Sequence, residues 1–186
     1  MARFPKLDPA AEAAILAAAK GDAASREAAF GQLFRALREP VLGLCLHVTG
    51  RRADAEDAMQ EVFLAVHRAL PRFRGEARLT TWIYRIALRA SLRCKARRPA
   101  SHALDSDWPV ADGEPHMAWR EEVRRLLSAM QRLSAEQRAV LSLFAIEGLS
   151  HREIADVLGV PEGTIWSRLH KARRSLAEQI DRAVIR

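Results

Sequence analysis

Apolar residues recur at helical spacing along most of the chain, and no segment alternates as a half-buried strand would. Residues 25–38 and 54–70 both repeat apolar side chains three and four positions apart, and Pro71 ends the second run. Thr80 lies where it would cap a further helix that runs to about Lys95. The pattern therefore predicts an all-α fold.

Proline and glycine mark where the first helices should start and stop. Asp8 followed by Pro9 predicts a helix N-terminus, and Gly21 predicts the end of that helix. Pro40 is expected to interrupt the helix that begins near residue 25, because an internal proline removes a backbone hydrogen bond. A separate short apolar helix would then follow Pro40.

Two helices joined by a tight, glycine-containing turn are predicted near the end of the chain. Residues 150–158 open with a Ser–x–x–Glu capping box, residues 159–163 form the turn, and a long helix starts at Thr164. One face of the long helix is apolar and carries Ile165, Leu169, Ala172 and Leu176. The other side carries Trp166, Ser167, Arg168, His170, Lys171, Arg173 and Arg174. Such a helix-turn-helix would place a basic helix in the major groove of DNA, although a solvated basic face has the same pattern.

Charge and proline content divide the chain into four parts. Residues 99–118 contain no lysine or arginine, four acidic residues and three prolines, and they lack a helical period. We expect a flexible acidic linker there, which joins two small helical domains at 25–98 and 119–186. Residues 1–24 form an N-terminal extension to which the sequence assigns no function.

The net charge of +7 indicates an anionic partner, and its distribution indicates where that partner binds. Residues 72–98 hold nine basic residues against the single acid Glu76, with the rings of Phe73, Trp82 and Tyr84 interleaved. Basic side chains that alternate with aromatic rings suit single-stranded or melted DNA. Trp82 and Tyr84 also fit as ordinary core residues of the helix.

An acidic stretch precedes this basic segment. Asp57, Gln60 and Glu61 lie three and four positions apart, and therefore share one face of the helix predicted at 54–70. An acidic face repels DNA and suits a basic protein partner. A simple solvated face, favourably placed near the helix N-terminus, has the same spacing.

Composition disfavours several other classes of protein. Hydrophobic residues make up 49% of the chain, which is too many for a disordered protein. We expect neither a membrane-spanning segment nor an export signal, because the longest apolar run is too short. Cys45 and Cys94 fit a reducing, cytoplasmic location without a disulfide. No catalytic residue, cofactor or metal site is expected, and Cys45 beside His47 is the only weak candidate for metal or redox chemistry.

Six short strings together resemble a known family. Region 2 of bacterial extracytoplasmic-function (ECF) sigma factors is similar to DAEDAMQEVF at 54–63, FRGE at 73–76 and TWIYRIA at 81–87. Region 4 of the same family is similar to LSAEQR at 133–138, GLSHREIA at 148–155 and GVPEGTIWSRLHKAR at 159–173. The resemblance covers residues 25–98 and 119–182 in the family's order.

This resemblance implies an alternative sigma factor, a dissociable subunit that gives RNA polymerase its promoter choice. Asp57, Gln60 and Glu61 would contact the clamp of the largest catalytic subunit, and the flap of the second-largest subunit would be the other contact on the core. The family's −10 contacts fall on Phe73, Arg74, Gly75, Arg78, Trp82, Arg85, Arg89 and Arg93. Its −35 contacts fall on Thr164, Trp166, Ser167, Arg168, His170, Lys171 and Arg174. The family also implies a cognate anti-sigma factor.

Two positions depart from the family's pattern, and two other functions compete with this one. Arg89 stands where many relatives carry asparagine, and Trp166 stands where many carry lysine or arginine. Trp166 would either pack against a base edge or fold back onto the preceding helix. The alternative function is a helix-turn-helix regulator that binds duplex DNA without polymerase, and a nucleic-acid enzyme is a third class.

Overall fold

Helices supply the regular structure of the described residues, which contain no strand. The computed structural model describes residues 7–97, 125–126 and 128–184, with side chains to residue 181. The predicted linker at 99–118 and the first part of the helix predicted from residue 119 lie outside these ranges. None of the described helices is long and apolar enough to cross a membrane. The predicted all-α fold is confirmed.

The helices form an N-terminal and a C-terminal group. The N-terminal helices are α1 (Pro9–Ala19), α2 (Ala23–Thr49), α3 (Arg52–Ala69), a 3-10 turn (Leu70–Arg72) and α4 (Leu79–Ala96). The C-terminal helices are α5 (Ala135–Leu141), a π-helical segment (Ser142–Ile146), α6 (His151–Leu158) and α7 (Glu162–Val184). A helical stretch at residues 128–131 precedes α5.

The apolar stripe of α2 forms the centre of the N-terminal helices. Leu33, Leu37, Val41 and Leu44 recur three or four positions apart, and each is at most 1% exposed. Their neighbours in the same core include the buried residues Val62 and Val66 of α3 and Ile83 and Ala87 of α4. Since a fully buried leucine contributes about 2 kcal/mol, this stripe is a main source of stability for the three-helix core.

Helix α2 continues through Pro40, so the predicted interruption at that residue is wrong. A proline inside a helix costs about 3 kcal/mol, because one backbone hydrogen bond is lost and the ring crowds the preceding turn. Leu37 before the proline and Val41 after it are both buried in the same core. Burial of this shared face offsets the cost and keeps the two halves in one helix.

Helix α1 packs on α2 and also completes the start of α4. Helix α4 begins at Leu79, and its N-cap residue, Arg78, makes no capping hydrogen bond with its side chain. The Leu79 N–H instead donates to the Glu12 carboxylate of α1, at 2.6 Å. Thr80 lies inside the helix, so the prediction that it caps α4 is wrong. The N-terminal extension therefore helps to fix the segment where the −10 contacts are predicted.

Local capping signals set the C-terminal helices as the sequence predicts. Ser134 and Gln137 form a reciprocal capping box at α5, and Ser150 and Glu153 form another at α6. Gly159 then ends α6 with φ of 65°, a left-handed conformation that glycine adopts without strain. The buried side of α7 carries the predicted residues Ile165, Leu169 and Ala172, with Leu176 partly buried.

Candidate nucleic-acid interface

The three residues of the predicted acidic face lie together on the surface of α3. Asp57, Gln60 and Glu61 are all exposed, whereas the neighbouring Ala58 and Val62 are fully buried. The structure therefore presents one acidic side of α3 to solvent and the other side to the core.

Glu61 has basic neighbours on α4. Its carboxylate lies 3.3 Å from Arg93 and 3.4 Å from Arg97. All three side chains are substantially exposed, and such pairs typically contribute only ~0–1 kcal/mol to stability. The arginines hold the carboxylate of Glu61 in place, but only weakly. A binding partner could therefore displace them at little cost in free energy.

An apolar groove lies beside this acidic face, and the sequence patterns did not predict it. Gln60 lies at its edge, and its apolar lining comprises Phe30, Phe34, Met59, Phe63 and Leu64. The rings of Phe34 and Phe63 meet edge to face with centroids 4.7 Å apart, and Leu64 is 57% exposed. The signal in the sequence was Leu64, an apolar side chain on the outward side of α3.

The loop between the 3-10 turn and α4 forms a cleft. Phe73 is buried, and its ring centroid lies 5.0 Å from that of the half-buried Trp82. Arg74 and Arg85 add cationic groups to the lining of the same cleft. Gly75 is exposed at φ of 77°, and a Cβ added there would meet no other atom within 4 Å. Two rings and two guanidinium groups therefore meet at the predicted −10 loop.

The basic side chains predicted to contact the −10 element fall into two sets. Arg74 in the loop and Arg89 and Arg93 on α4 are exposed. Arg78 lies 3.7 Å from the Glu153 carboxylate of α6. Arg85 donates from Nε to a backbone carbonyl of α6, that of Asp156, at 2.6 Å. The C-terminal helices therefore cover part of the predicted −10 surface.

Tyr84 belongs to the core, which was one of the two alternatives for this residue. It is 1% exposed, and its hydroxyl lies 3.3 Å from Oε2 of Glu147, just after the π-helical segment. Burial raises the pKa of Glu147 to about 7, and burial together with the Glu147 charge raises the pKa of Tyr84. This contact joins α4 to the C-terminal helices.

Arg138 of α5 makes a second connection between the two groups of helices. Its side chain is fully buried, and burial lowers its pKa to about 10. The guanidinium donates to the carbonyls of Gln131 (2.9 Å) and Leu133 (3.0 Å), and to that of Val48 at the end of α2 (2.7 Å). Gly50 lies so close to the Gln131 side chain that a Cβ there would overlap it. The sequence does not predict that Arg138 is buried, because all three of its acceptors are backbone carbonyls.

Helix α7 presents most of its predicted DNA-facing residues to solvent. It begins at Glu162, two residues before the predicted start. Ser167, His170, Lys171 and Arg174 are exposed, while Thr164 and Arg168 are half-buried. Arg168 and Lys171 line a cleft together with the first turn of α5. The structure thus brings the predicted −35 residues onto one helix with its basic side open.

Trp166 stacks on the preceding helix, which was one of the two alternatives for its indole. Its ring lies 4.0 Å from that of His151 at the start of α6, with the planes inclined by 20°. The residue is nevertheless 62% exposed. One side of the indole is therefore covered by protein, and the rest faces solvent.

Cys45 and His47 do not have the properties of a reactive pair. Burial raises the pKa of the Cys45 thiol to about 11, which keeps it protonated and a weak nucleophile. Burial lowers the pKa of His47 to about 4, and its Nδ1 donates to the Gly43 carbonyl at 2.6 Å. No disulfide joins Cys45 and Cys94. Among the described residues, no group of three or more His, Cys, Asp or Glu side chains could hold a metal ion.

Comparison with known families gives matches at both ends of the chain. Residues 33–99 match the family model for Sigma-70 region 2, and residues 123–176 match the model for Sigma-70, region 4. The ECF RNA polymerase sigma factor SigM of Mycobacterium tuberculosis is 36% identical over 152 residues, which is 80% of this chain and 76% of that protein. The RNA polymerase sigma-H factor of Pseudomonas aeruginosa is 34% identical over 174 residues, which is 84% of this chain and 86% of that protein.

Solved structures show the same architecture. CnrH, in complex with the cytosolic domain of CnrY, superposes with a TM-score of 0.69 at 26% identity, covering 91% of this chain and 97% of CnrH. The sigma factor RpoE of Bartonella quintana, in complex with the anti-sigma factor NepR, gives a TM-score of 0.65 at 21% identity, covering 82% and 96%. The second of these supports the fold alone.

These findings define a sigma-70-type protein with regions 2 and 4. More narrowly, the chain belongs to the ECF RNA polymerase sigma factors. It is an alternative sigma factor, which directs RNA polymerase to promoters at the start of transcription.

Proposed function

We propose that this sigma factor docks on core polymerase through α3 and holds promoter DNA with α4 and α7. The observation that carries the proposal is the arrangement of charge on adjacent helices. Asp57, Gln60 and Glu61 form an exposed acidic face on α3, and exposed arginines follow on α4. One protein unit can therefore bind a basic protein surface and nucleic acid side by side.

The acidic face of α3 is the proposed contact with the clamp of the largest catalytic subunit. Carboxylates steer and orient a basic partner, and a buried apolar contact supplies affinity that exposed charge alone does not. The groove formed by Phe30, Phe34, Met59 and Leu64 lies beside Gln60 and offers that apolar contact. Docking would then combine an acidic rim with an apolar centre.

The cleft at the start of α4 is the proposed site for the melted −10 element. Trp82, with the Phe73 ring packed against it, would stack with an unpaired base, and the exposed Arg74 and Arg89 would follow the phosphates. Extrusion of a base costs least where the strand is already melted, so this site favours the open state of the promoter.

Helix α7 is the proposed reader of the −35 element in duplex DNA. Its basic side is open, and its first turns are held against α6 by the turn at Gly159. Arg168, Lys171 and Arg174 supply the charge for phosphate or guanine contacts. The C-terminal helices are also the proposed contact for the flap of the second-largest subunit.

Full engagement of the −10 DNA requires the two groups of helices to separate. Arg78 and Arg85 contact α6 in this structure, and both belong to the predicted −10 set. Their contacts with α6 would have to break before α4 could offer all of its arginines to DNA. Binding to core polymerase, which would hold regions 2 and 4 on separate surfaces, is the proposed cause of the separation.

A cognate anti-sigma factor is the proposed regulatory partner. RpoE, which shares the fold, was solved with the anti-sigma factor NepR, and CnrH was solved with the cytosolic domain of CnrY. We further propose that the chain acts in the cytoplasm, has no catalytic activity of its own and needs no cofactor. Polymerase would perform the chemistry.

Binding to core polymerase in the absence of DNA tests this assignment against the helix-turn-helix regulator. Fluorescently labelled full-length chain would be titrated with purified core, and separately with duplex DNA. A saturable complex with core, and tight promoter binding only in its presence, supports the sigma assignment. Tight specific binding to duplex DNA with no affinity for core would support the regulator instead.

A further inference from the structure

Four side chains form a continuous stack beside the DNA-facing side of α7. Trp166 lies 4.0 Å from His151, and the His151 ring lies 5.3 Å from Phe144 with an inclination of 29°. The guanidinium of Arg173 lies over the Phe144 ring, 4.9 Å from the ring centroid. The stack runs from the π-helical segment, through the start of α6, to the first turns of α7.

This stack fixes the indole without burying it. Trp166 would otherwise turn freely in solvent, but the contact with His151 covers one face of the ring. The residue remains 62% exposed, which is a large apolar exposure for a side chain on a folded surface. The Trp166 side chain is already ordered in the free protein. A contact between the indole and DNA would therefore cost little side-chain entropy.

The position of Trp166 on α7 points toward DNA. Recognition helices contact base edges mainly with residues of their first turns, and Trp166 is the fifth residue of α7. Ile165 just before it is fully buried, so the neighbouring Trp166 lies on the shoulder between the core and the DNA-facing side. Ser167, the next residue, is exposed on that side.

An indole matches one feature of the major groove better than any other. It has a single N–H donor and no acceptor, so it cannot make the two-point hydrogen bonds by which arginine reads guanine or asparagine reads adenine. Its large surface is apolar, and the C5-methyl group of thymine is the apolar group that base pairs present in the major groove. Arg168 and Lys171 carry the charge for other contacts.

We propose that Trp166 is a specificity residue that packs against the C5-methyl group of a thymine in the −35 element. His151 and Phe144 are positioning residues that hold the indole for this contact. The proposal rests on the proposed function of α7 as the reader of duplex −35 DNA, and it adds the base for which the helix selects.

Selection from DNA duplexes tests the proposal. Full-length chain with core polymerase would select bound duplexes from a library randomised over the −35 element. We expect a thymine enriched at one position with the native protein, and loss of that enrichment with Trp166→Ala. At that position, deoxyuridine in place of thymidine should weaken binding of the native protein by about fourfold. This factor corresponds to the free energy gained when one methyl group is buried. The affinity of Trp166→Ala should be the same for both duplexes.

Substitutions at His151 separate positioning from a general loss of structure. We expect His151→Ala to reduce the discrimination between thymine and uracil, and His151→Phe, which retains a stacking ring, to restore it. Thermal unfolding of each variant reports whether the fold is intact. If Trp166→Ala does not fold, Trp166→Phe takes its place, and it should retain part of the discrimination.

The remaining outcomes count against the proposal in distinguishable ways. Equal native affinity for the thymine and uracil duplexes overturns it, even where −35 binding is strong. If Trp166→Ala loses affinity by the same factor for both duplexes, and so keeps the native preference for thymine, Trp166 has only a structural role and the proposal is also overturned. If the native holoenzyme selects no duplex sequence at all, the proposed function of α7 itself fails.

Discussion

The hydroxyl group of Tyr84 lies 3.3 Å from Oε2 of Glu147, and both side chains are buried where α4 meets the C-terminal helices. Burial raises the pKa of Glu147 to about 7. The predicted −10 surface and the helix-turn-helix are therefore joined through a carboxyl group that titrates near neutrality. The contact is a property of the closed arrangement, in which α6 also holds Arg78 and Arg85.

Acid should favour the closed arrangement. Burial in the closed state raises the pKa of Glu147 more than the Tyr84 hydrogen bond lowers it, so closure favours the protonated carboxyl group. The closed arrangement is most stable below the ordinary glutamate pKa, and it loses stability as pH rises from there through about 7. The difference amounts to about 3 kcal/mol across this range.

Energy transfer between dyes on the two groups of helices measures this effect. The native protein should show more of the closed state at pH 5 than at pH 8, and Glu147→Gln should lose most of that dependence. A pH response that survives unchanged in Glu147→Gln would assign the titration to another group.

Removal of the Arg138 side chain should destabilise the protein strongly. Arg138→Ala leaves a cavity and takes the donors from the carbonyls of Val48, Gln131 and Leu133. Loss of a buried cation with three hydrogen bonds costs about 3 kcal/mol. Urea unfolding gives the difference directly, and Arg132→Ala, at an exposed position, is the control. A change below ~0.5 kcal/mol for Arg138→Ala would show that the buried hydrogen bonds contribute little.

The helix-turn-helix could be predicted in detail because its signals are local. The capping boxes at Ser134 and Ser150 and the left-handed Gly159 each act within a few residues of the chain. A reader of the sequence therefore sees every group that sets these helix ends. The buried face of α7 follows from the same local periodicity.

The contacts that depend on distant residues could not be predicted. Glu12 caps α4 from 67 positions away, and Arg138 reaches the Val48 carbonyl across 90 positions. Pro40 stays inside α2 because a core shared with α3 and α4 outweighs its local effect. Spacing along one helix does not reveal any of these contacts.

Substitution of two acids on α3 should weaken docking on core polymerase. We expect Asp57→Ala combined with Glu61→Ala to lower the affinity by about tenfold or more, since close charge pairs across interfaces couple by about 1.5 kcal/mol or more. The exposed pairs of Glu61 with Arg93 and Arg97 contribute little to stability. The free energy of unfolding of the double variant should therefore equal that of the native protein.

Fluorescence anisotropy with labelled chain and purified core gives this affinity. The matched control is Glu39→Ala, which removes an exposed acid from α2 instead of from α3. Unchanged affinity in the double variant would remove the core contact from Asp57 and Glu61.

Loss of two cations on α7 should flatten the salt dependence of −35 binding. The logarithm of the binding constant falls with the logarithm of salt concentration by about 0.9 for each phosphate that is contacted. Arg168→Ala combined with Lys171→Ala should therefore reduce the slope by about 1.8 if both contact phosphates. Titrations of holoenzyme with promoter DNA over a range of salt concentrations give the slope. If the slope of the double variant equals the native slope, neither side chain contacts the phosphate backbone of the DNA.

Run-off transcription from genomic templates tests the central claim most directly. Purified core polymerase would be supplied with the native chain, with the Asp57/Glu61 double alanine variant or with the Arg168/Lys171 double alanine variant, and the start sites would be mapped. The native chain should produce defined starts that core alone does not, and both variants should reduce them. Transcripts that match those of core alone in number and position would contradict the assignment of this chain as a promoter-selecting subunit.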